Sequence, residues 1–219
     1  IHSHRVGDEK GLVIQIDNAM RDPHTIQLDA ANANFVADAQ FYPGIRAQLP
    51  DHMQISYGSL AQNVLCRYFD HTGPVTIEGA FYAMVTTPSE QLLPAQRIPH
   101  YDAVCERRFA IVHYLNSVDL GGTGFFKHRS TGYESISADR QSQYFDALRA
   151  DIATIGRPEP AYVAGDSPIF KCIAKFEPTF NRALFYHGNM LHSGLIMEHT
   201  PLLTDTSKGR LTVTCFISI

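Results

Sequence analysis

Two histidines and one aspartate have the residue types and spacing to bind a metal ion. His100 and Asp102 are separated by one residue, so in an extended segment both side chains leave the same face. A histidine nitrogen and a carboxylate oxygen together suit a borderline metal such as Fe(II). His192 is the best candidate for a third ligand from a distant strand. Such a set, on one face of an octahedron, would leave three coordination positions open.

An arginine near the C-terminus is the second feature that indicates chemistry. The last strand alternates between apolar residues, from Leu211 to Ile217, on one face and Arg210, Thr212 and Thr214 on the other. An arginine that points into a β-sandwich is costly unless it meets an anion. Its guanidinium group can pair bidentately with a carboxylate, so this strand predicts an anion site.

These side chains also have ordinary interpretations. A His-x-Asp pair is often a solvated part of a surface turn, and Arg210 could face solvent from an edge strand. Tyr114 could add a hydrogen bond to the anion at Arg210, or it could be a core tyrosine bonded to a backbone carbonyl. Lys208 is an alternative anion-binding residue, less favoured because it precedes the alternating strand.

The composition argues against several classes of protein. The chain has 219 residues, 44% of them hydrophobic, which suits one domain with a sizeable core. The net charge is −4 and no run of Lys or Arg is present, so we expect no nucleic-acid partner. The apolar runs are too short to span a bilayer and the four cysteines are scattered. We therefore expect no membrane partner, reduced thiols and a cytoplasmic location.

Hydrophobic periodicity predicts three helices and a larger number of strands. Asp22 and Pro23 are typical of a helix start. The glycine-rich segment 121–124 predicts a hairpin turn between the strands on either side. The predicted helices cover about 23–37, 56–68 and 137–155, and the predicted strands cover 11–17, 76–86, 109–115, 125–128, 169–176, 183–186, 192–196 and 211–219.

The order of these elements predicts the architecture. Helices followed by many short strands with turn signals indicate a helical layer packed on a β-sandwich or jelly roll. We expect a mostly β fold with flanking helices, in a single domain over residues 1–219. Residues 1–75 are expected to be helical support, and residues 76–219 the jelly-roll core with a helical insertion at 137–155.

Taken together, these residues resemble the Fe(II)/2-oxoglutarate-dependent dioxygenase superfamily, and within it the prolyl 4-hydroxylase-like branch. Order and approximate spacing match from about residue 76 to the C-terminus. The matching motifs are His-Tyr-Asp at 100–102, Tyr-Leu-Asn at 114–116, Gly-Gly at 121–122, Ala-Leu-Phe at 183–185, His-Ser-Gly at 192–194 and Arg-Leu-Thr at 210–212.

The resemblance implies a double-stranded β-helix and a role for each matching residue. The implied iron ligands are His100, Asp102 and His192. The far carboxylate of 2-oxoglutarate would bind Arg210 and accept a hydrogen bond from Tyr114, and Thr212 would assist. The implied cofactors are therefore Fe(II) and 2-oxoglutarate.

Two departures from the resembled branch leave alternatives open. Arg210 lies 18 residues after His192, a longer gap than is usual there, so residues 198–208 must loop out if the match holds. His187, in a Tyr-His-Gly-Asn turn, is a second candidate for the third iron ligand. The His-Ser-Gly sequence at 192–194 favours His192.

The implied activity is oxygenation that uses O₂ and releases succinate and CO₂. The expected outcome is hydroxylation of an unactivated C–H bond in an amino acid, a peptide or a small metabolite. Two other hypotheses stay open: a cupin-like metalloenzyme that does not use 2-oxoglutarate, and a non-catalytic β-sandwich binding module. Charged residues near the predicted barrel mouth could favour an anionic or polar substrate, or could be ordinary surface charge. They are Arg97, Arg107, Arg108, His128 and Arg129.

Overall fold

The computed structural model describes residues 1–38 and 41–219. Within these residues, strands β1 to β11 are His2–Val6, Gly11–Asp17, Val36–Ala37, Gly44–Gln48, Thr76–Val85, Arg108–Tyr114, Thr123–His128, Phe170–Phe176, Arg182–His187, His192–Gly194 and Leu211–Ser218. Helices α1 to α3 are Pro23–Ala31, Asp51–Tyr68 and Gln141–Ile155. None of the described helices is long and apolar enough to cross a membrane.

The strands form two sheets of unequal size. In the described residues, the large sheet has the order β1-β2-β9-β6-β11-β5-β4-β3, and the small sheet has the order β10-β7-β8. Every pairing between these strands is antiparallel. Two facing antiparallel sheets with helices on the outside form the jelly roll that the sequence predicted, so the predicted fold class is confirmed.

The helix starts follow from local chemistry. Three of the predicted helix bounds were wrong, and one of them is the start of α3, which lies at Gln141 rather than at residue 137. The side chain of Asp22 accepts a hydrogen bond from the backbone N–H of Thr25, and Pro23 occupies the first turn of α1. This helix ends at Ala31 rather than near residue 37, because the Asn-rich segment after it favours turns over helix. Helix α2 begins five residues earlier than predicted, directly after Pro50.

The expectation that residues 1–75 are helical support was incomplete. This part of the chain contains α1 and α2, and it also supplies β1 to β4 to both edges of the large sheet. The sequence predicted only the second of these strands. The other three are strands of two to five residues, at or next to an edge of the sheet, that bury few apolar side chains, so they lack the alternation that identifies a strand.

The predicted hairpin at 121–124 was also wrong. β6 belongs to the large sheet and β7 to the small one, so the glycines carry the chain from one sheet to the other. Gly121 has a φ of 94°, and a Cβ built there would lie 2.0 Å from the carbonyl oxygen of Leu195. A Cβ on Gly122 would lie 1.9 Å from the carbonyl oxygen of Phe176. Close packing between the sheets therefore requires glycine at both positions.

The two faces of the large sheet serve different purposes. On β11, Leu211, Val213, Cys215 and Ile217 are buried in a cluster with apolar residues of α1 and α2. Thr212 and Thr214 belong to the opposite face, which lines a cavity between the two sheets. The alternation read from the sequence thus correctly separates the core face from the cavity face.

A buried histidine links the helical layer to the large sheet. His113, on β6, is fully buried. Its Nε2–H donates to Oδ1 of Asn181 at 3.0 Å, and its Nδ1 accepts from the hydroxyl of Tyr57, on α2, at 2.6 Å. Burial lowers the pKa of His113 to about 4, against the opposing effect of the Asn181 hydrogen bond. This imidazole is therefore neutral in the folded protein at neutral pH.

The lowered pKa of His113 predicts a pH-dependent stability. The folded protein resists protonation of this histidine, whereas the unfolded chain takes up the proton near the ordinary pKa of 6.5. The neutral His113 therefore contributes fully to the free energy of unfolding above pH 6.5. This contribution is lost as the pH falls toward 4, by at most on the order of 1 kcal/mol per pH unit. Urea unfolding at a series of pH values should give a shallower acid slope for His113→Gln than for the wild type. The exposed His24→Gln is the control, and equal slopes for His113→Gln and the wild type would contradict the account.

Candidate metal centre

A short backbone bridge brings two distant histidines together. The N–H of His100 donates to the carbonyl of His192 at 2.9 Å, and the N–H of His192 donates to the carbonyl of His100 at 2.8 Å. His100 thus forms an isolated antiparallel β-bridge with the first residue of β10, in the small sheet. The N–H of Asp102 donates to the carbonyl of Gly188 at 2.7 Å. Backbone hydrogen bonds therefore fix the main chain at all three predicted ligand positions.

The side chains of His100, Asp102 and His192, called the triad from here on, converge on one point. Nε2 of His100 lies 3.7 Å from Oδ1 of Asp102, and Nε2 of His192 lies 3.5 Å from Oδ2 of Asp102. The three ligand atoms all lie within 4.8 Å of one another. Two ligands that bind one metal at right angles, each about 2.1 Å away, would be about 3 Å apart, so a small closure of the triad would suffice to bind an ion.

The surroundings of His192 prepare it for a metal. Its Nδ1–H donates to the carbonyl of Met190 at 2.8 Å, and Nε2 is the ring nitrogen directed at Asp102. The ring packs edge-on against Tyr186, with centroids 4.9 Å apart, and 6.3 Å from the ring of Phe125. A fixed tautomer and a packed ring are what metal-binding histidines ordinarily have.

His100 is also held in the neutral form that binds metals. The His100 side chain is 53% exposed, on the wall of a cavity. Desolvation by the surrounding atoms lowers its pKa to about 4, and the neighbouring His192 lowers it further, while Asp102 acts in the opposite direction. A neutral imidazole keeps a lone pair for a metal ion. Within the described part of the chain, no other set of three His, Cys, Asp or Glu side chains has this mutual proximity.

Arg210 is a buried cation without an acidic partner. The residue is 6% exposed. Its Nε donates to the carbonyl of Gly121 at 2.9 Å, and one terminal nitrogen lies 3.4 Å from the carbonyl of Gly122. Among the residues that the structure describes, no carboxylate forms an ion pair with it. A buried guanidinium group without a counter-ion is costly, so this position favours an anionic ligand.

Asn116 holds the backbone on both sides of Arg210. Its side-chain N–H donates to the carbonyl of Gly209 at 2.7 Å, and its side-chain oxygen accepts from the N–H of Leu211 at 2.8 Å. Both hydrogen bonds are buried. The long loop before Arg210 therefore ends at a fixed point, and the orientation of the arginine does not depend on the loop.

One cavity joins the metal site to the anion site. It has a volume of about 670 Å³, and both the triad and Arg210 line it. Aromatic and polar residues from several strands and loops complete the wall. Among them are Tyr42, Arg46, Phe81, Tyr162, Thr212 and Thr214.

The other two arginines that line this cavity already have acidic partners. Arg46 pairs with Asp38 at 3.0 Å, and Arg108 pairs with Glu78 at 2.6 Å. Arg210 is therefore the described arginine of the cavity that lacks an acidic partner. The remaining residues expected at the barrel mouth do not line the cavity. Arg97 and Arg107 donate hydrogen bonds to backbone carbonyls. Arg129 pairs with Asp166, and His128 is buried beside Asp151.

The geometry separates the predicted site residues from two of their rivals. His187 is directed away from the triad, and its Nδ1 lies 2.9 Å from the carbonyl oxygen of Glu106. Lys208 is largely exposed and pairs with Asp205 at 3.5 Å, in the loop that was expected to precede Arg210. Neither side chain belongs to the wall of the main cavity.

Tyr114 and Thr212 lie beside Arg210 in the large sheet, where they face each other across β6 and β11. The ring of Tyr114 lies under the guanidinium group of Arg210, 6.0 Å from it. Its hydroxyl is 2.6 Å from Oγ1 of Thr123. The hydroxyl of Thr212 donates weakly to the carbonyl of Ala83, at 3.4 Å.

Sequence reasoning missed two residues of the cavity wall. Tyr42 lies in a segment predicted only as a turn, and Arg46 lies on β4, a strand that was not predicted. The guanidinium group of Arg46 stacks on the ring of Tyr42, 4.4 Å from its centroid. The only available signal was the alternation of side chains along β4, and that alternation is informative only once the strand is known to exist.

Comparison with known proteins identifies the family and the fold. The family described as "Family of unknown function (DUF6445)" matches residues 1–217. The chain belongs to this family. No curated protein has significant sequence similarity to it.

Among solved structures, the chain is similar in fold to HygX from Streptomyces hygroscopicus. The HygX structure with iron bound is 10% identical with a TM-score of 0.52, covering 95% of this chain and 82% of HygX. The structure with nickel and 2-oxoglutarate bound is 12% identical with a TM-score of 0.50, covering 94% and 82%. This similarity confirms the double-stranded β-helix fold. The assignment to the prolyl 4-hydroxylase-like branch stays a prediction.

The geometry predicts which histidine completes the metal site. We expect His192→Ala to weaken binding of Co²⁺ or Fe²⁺ at least tenfold, because one of three ligands is lost. The matched control is His187→Ala, which should bind these metals as the wild type does. Anaerobic calorimetric titration of the metal measures both. Equal losses in the two variants, or a loss only in His187→Ala, would contradict the assignment.

Asn116 predicts a stability effect. In Asn116→Ala, a buried carbonyl and a buried N–H lose their partner, so the free energy of unfolding should fall by about 2–3 kcal/mol. The control is Asn34→Ala, an exposed position where a change within about 0.5 kcal/mol is expected. Urea denaturation measures both variants. An Asn116→Ala variant as stable as the control would show that the backbone on the two sides of Arg210 is held in another way.

Proposed function

We propose that this protein is an oxygenase that depends on Fe(II) and 2-oxoglutarate. The observation that carries the proposal is the shared cavity, in which the triad and a buried arginine without an acidic partner lie together. A metal site alone would fit many metalloenzymes. A metal site and an anion site together fit a cosubstrate that binds the metal with one end and carries a carboxylate at the other.

Each part of the site has a role in this proposal. The imidazoles of His100 and His192 and the carboxylate of Asp102 would hold the metal. Arg210 would hold the distal carboxylate of 2-oxoglutarate through its guanidinium fork. When bound, Fe(II) with O₂ and 2-oxoglutarate would supply the oxidation of a substrate C–H bond to an alcohol, with release of succinate and CO₂. HygX, which has the same fold, has been described with iron and with 2-oxoglutarate bound, and this supports the same cofactors here.

The cavity supports a small molecule as the substrate. A volume of about 670 Å³ lies within the usual range for small-molecule sites. Phe81, Tyr101, Tyr162 and Phe216 line it and offer flat apolar surfaces. Because Arg46 and Arg108 are already paired with acids, the cavity favours an uncharged or weakly charged substrate over a polyanion. Hydroxylation is the reaction that we propose for it.

The proposal predicts a visible charge-transfer band. Anaerobic addition of 2-oxoglutarate to the Fe(II)-loaded protein should produce the band that arises when a 2-oxo acid chelates ferrous iron. Arg210→Ala should weaken 2-oxoglutarate binding at least tenfold, because the distal carboxylate loses its charged partner. The matched control is Lys208→Ala, two residues earlier in the chain, which should bind as the wild type does.

The other outcomes separate the remaining hypotheses. Bound iron without a band would contradict the use of 2-oxoglutarate and favour a metalloenzyme that works without it. A protein that binds no iron would contradict the whole proposal and favour a binding module. A loss in Lys208→Ala but not in Arg210→Ala would contradict the assigned anion site.

A further inference from the structure

Two tyrosines near Arg210 differ in what their hydroxyl groups contact. The hydroxyl of Tyr114 lies 2.6 Å from Oγ1 of Thr123, so it has a hydrogen-bond partner within the protein. The hydroxyl of Tyr42 is buried and forms no hydrogen bond of ordinary geometry with the described residues. A buried hydroxyl without a partner costs free energy, and in a cavity wall it indicates a ligand that completes the bond.

The surroundings of the Tyr42 hydroxyl indicate where that ligand lies. Tyr42, Arg210 and Thr212 line the same cavity. Burial raises the pKa of Tyr42, while the charges of Arg210 and Arg46 and the hydroxyl of Thr212 act in the opposite direction. Arg210 is also the buried cation that lacks an acidic partner. A carboxylate that binds Arg210 would thus lie within reach of Tyr42.

Packing, rather than a hydrogen bond, holds the Tyr42 ring in this position. The guanidinium group of Arg46 lies 4.4 Å from the ring centroid, and Asp38 fixes Arg46 through an ion pair of 3.0 Å. On the other side, the hydroxyl of Tyr162 donates to the carbonyl of Thr87 at 2.6 Å and lies 3.5 Å from the carbonyl of Pro43, the residue after Tyr42. The ring is positioned before any ligand binds, and its hydroxyl is available.

We propose that Tyr42 donates a hydrogen bond to the distal carboxylate of 2-oxoglutarate at Arg210, with Thr212 beside it. This inference rests on the proposed function. It assigns to Tyr42, which precedes β4, the contact that the resemblance implied for Tyr114. The hydroxyl of Tyr114 is instead paired with Oγ1 of Thr123 within the protein.

The test measures dissociation constants rather than turnover. In anaerobic calorimetry on the Fe(II)-loaded protein, Tyr42→Phe should raise the dissociation constant of 2-oxoglutarate about tenfold, because a hydrogen bond to a charged group is lost. Phenylalanine keeps the ring that stacks on Arg46, so the loop should keep its position. Tyr114→Phe should change the same constant less than about twofold, since its hydroxyl does not contact the ligand.

A second ligand distinguishes loss of this contact from general damage. 2-Oxopentanoate has the same 2-oxo acid end and the same five carbons, but no distal carboxylate. Its dissociation constant should be the same in the wild type and in Tyr42→Phe. The inference is overturned if Tyr42→Phe binds 2-oxoglutarate as the wild type does, if Tyr114→Phe shows the larger loss, or if both ligands weaken equally in Tyr42→Phe. A wild type that binds no 2-oxoglutarate would overturn the proposed function as well, so the two failures differ.

Discussion

The pair of backbone hydrogen bonds between His100 and His192 is the interaction on which the rest of the site depends. It attaches an otherwise irregular segment to the small sheet, at the first residue of β10. Residues far apart in the sequence thereby become directly opposed, and the bond from Asp102 to Gly188 adds the carboxylate to the same place. Because these contacts involve main-chain atoms, the triad is held by the sheet itself. The side chains then need only a small adjustment to surround an ion.

Arg210, which lines the same cavity, is also held through hydrogen bonds to main-chain atoms. The carbonyls of two glycines orient its guanidinium group, and Asn116 holds the backbone on both sides of it. The glycines are required because any Cβ would collide with the facing strand. A metal site and a buried cation in the wall of one cavity suit a ligand with two different ends. The ring of Tyr42, which stacks on Arg46, lines the same cavity as this cation.

Sequence reasoning predicted the parts of the fold and site that have a strong local signal. The alternation of β11 separated the buried face from the face that carries Thr212 and Thr214, and the spacing of His100 and Asp102 predicted a shared face. It failed where the signal is tertiary. The glycines at 121 and 122 were interpreted as a hairpin, because nothing local shows that the strands beside them belong to different sheets. Tyr42 and Arg46 were missed because β4 is a strand of only five residues without clear alternation, and its place between β3 and β5 depends on contacts with distant parts of the chain.

The most direct test of the central claim is a crystal structure grown without oxygen in the presence of Fe²⁺ and 2-oxoglutarate, with anomalous diffraction measured at the iron edge. The account predicts one strong anomalous peak bonded to His100, Asp102 and His192. It also predicts a 2-oxoglutarate molecule that chelates this metal and places its far carboxylate at Arg210. A peak at His187 or elsewhere, or a ligand whose far carboxylate does not contact Arg210, would contradict it.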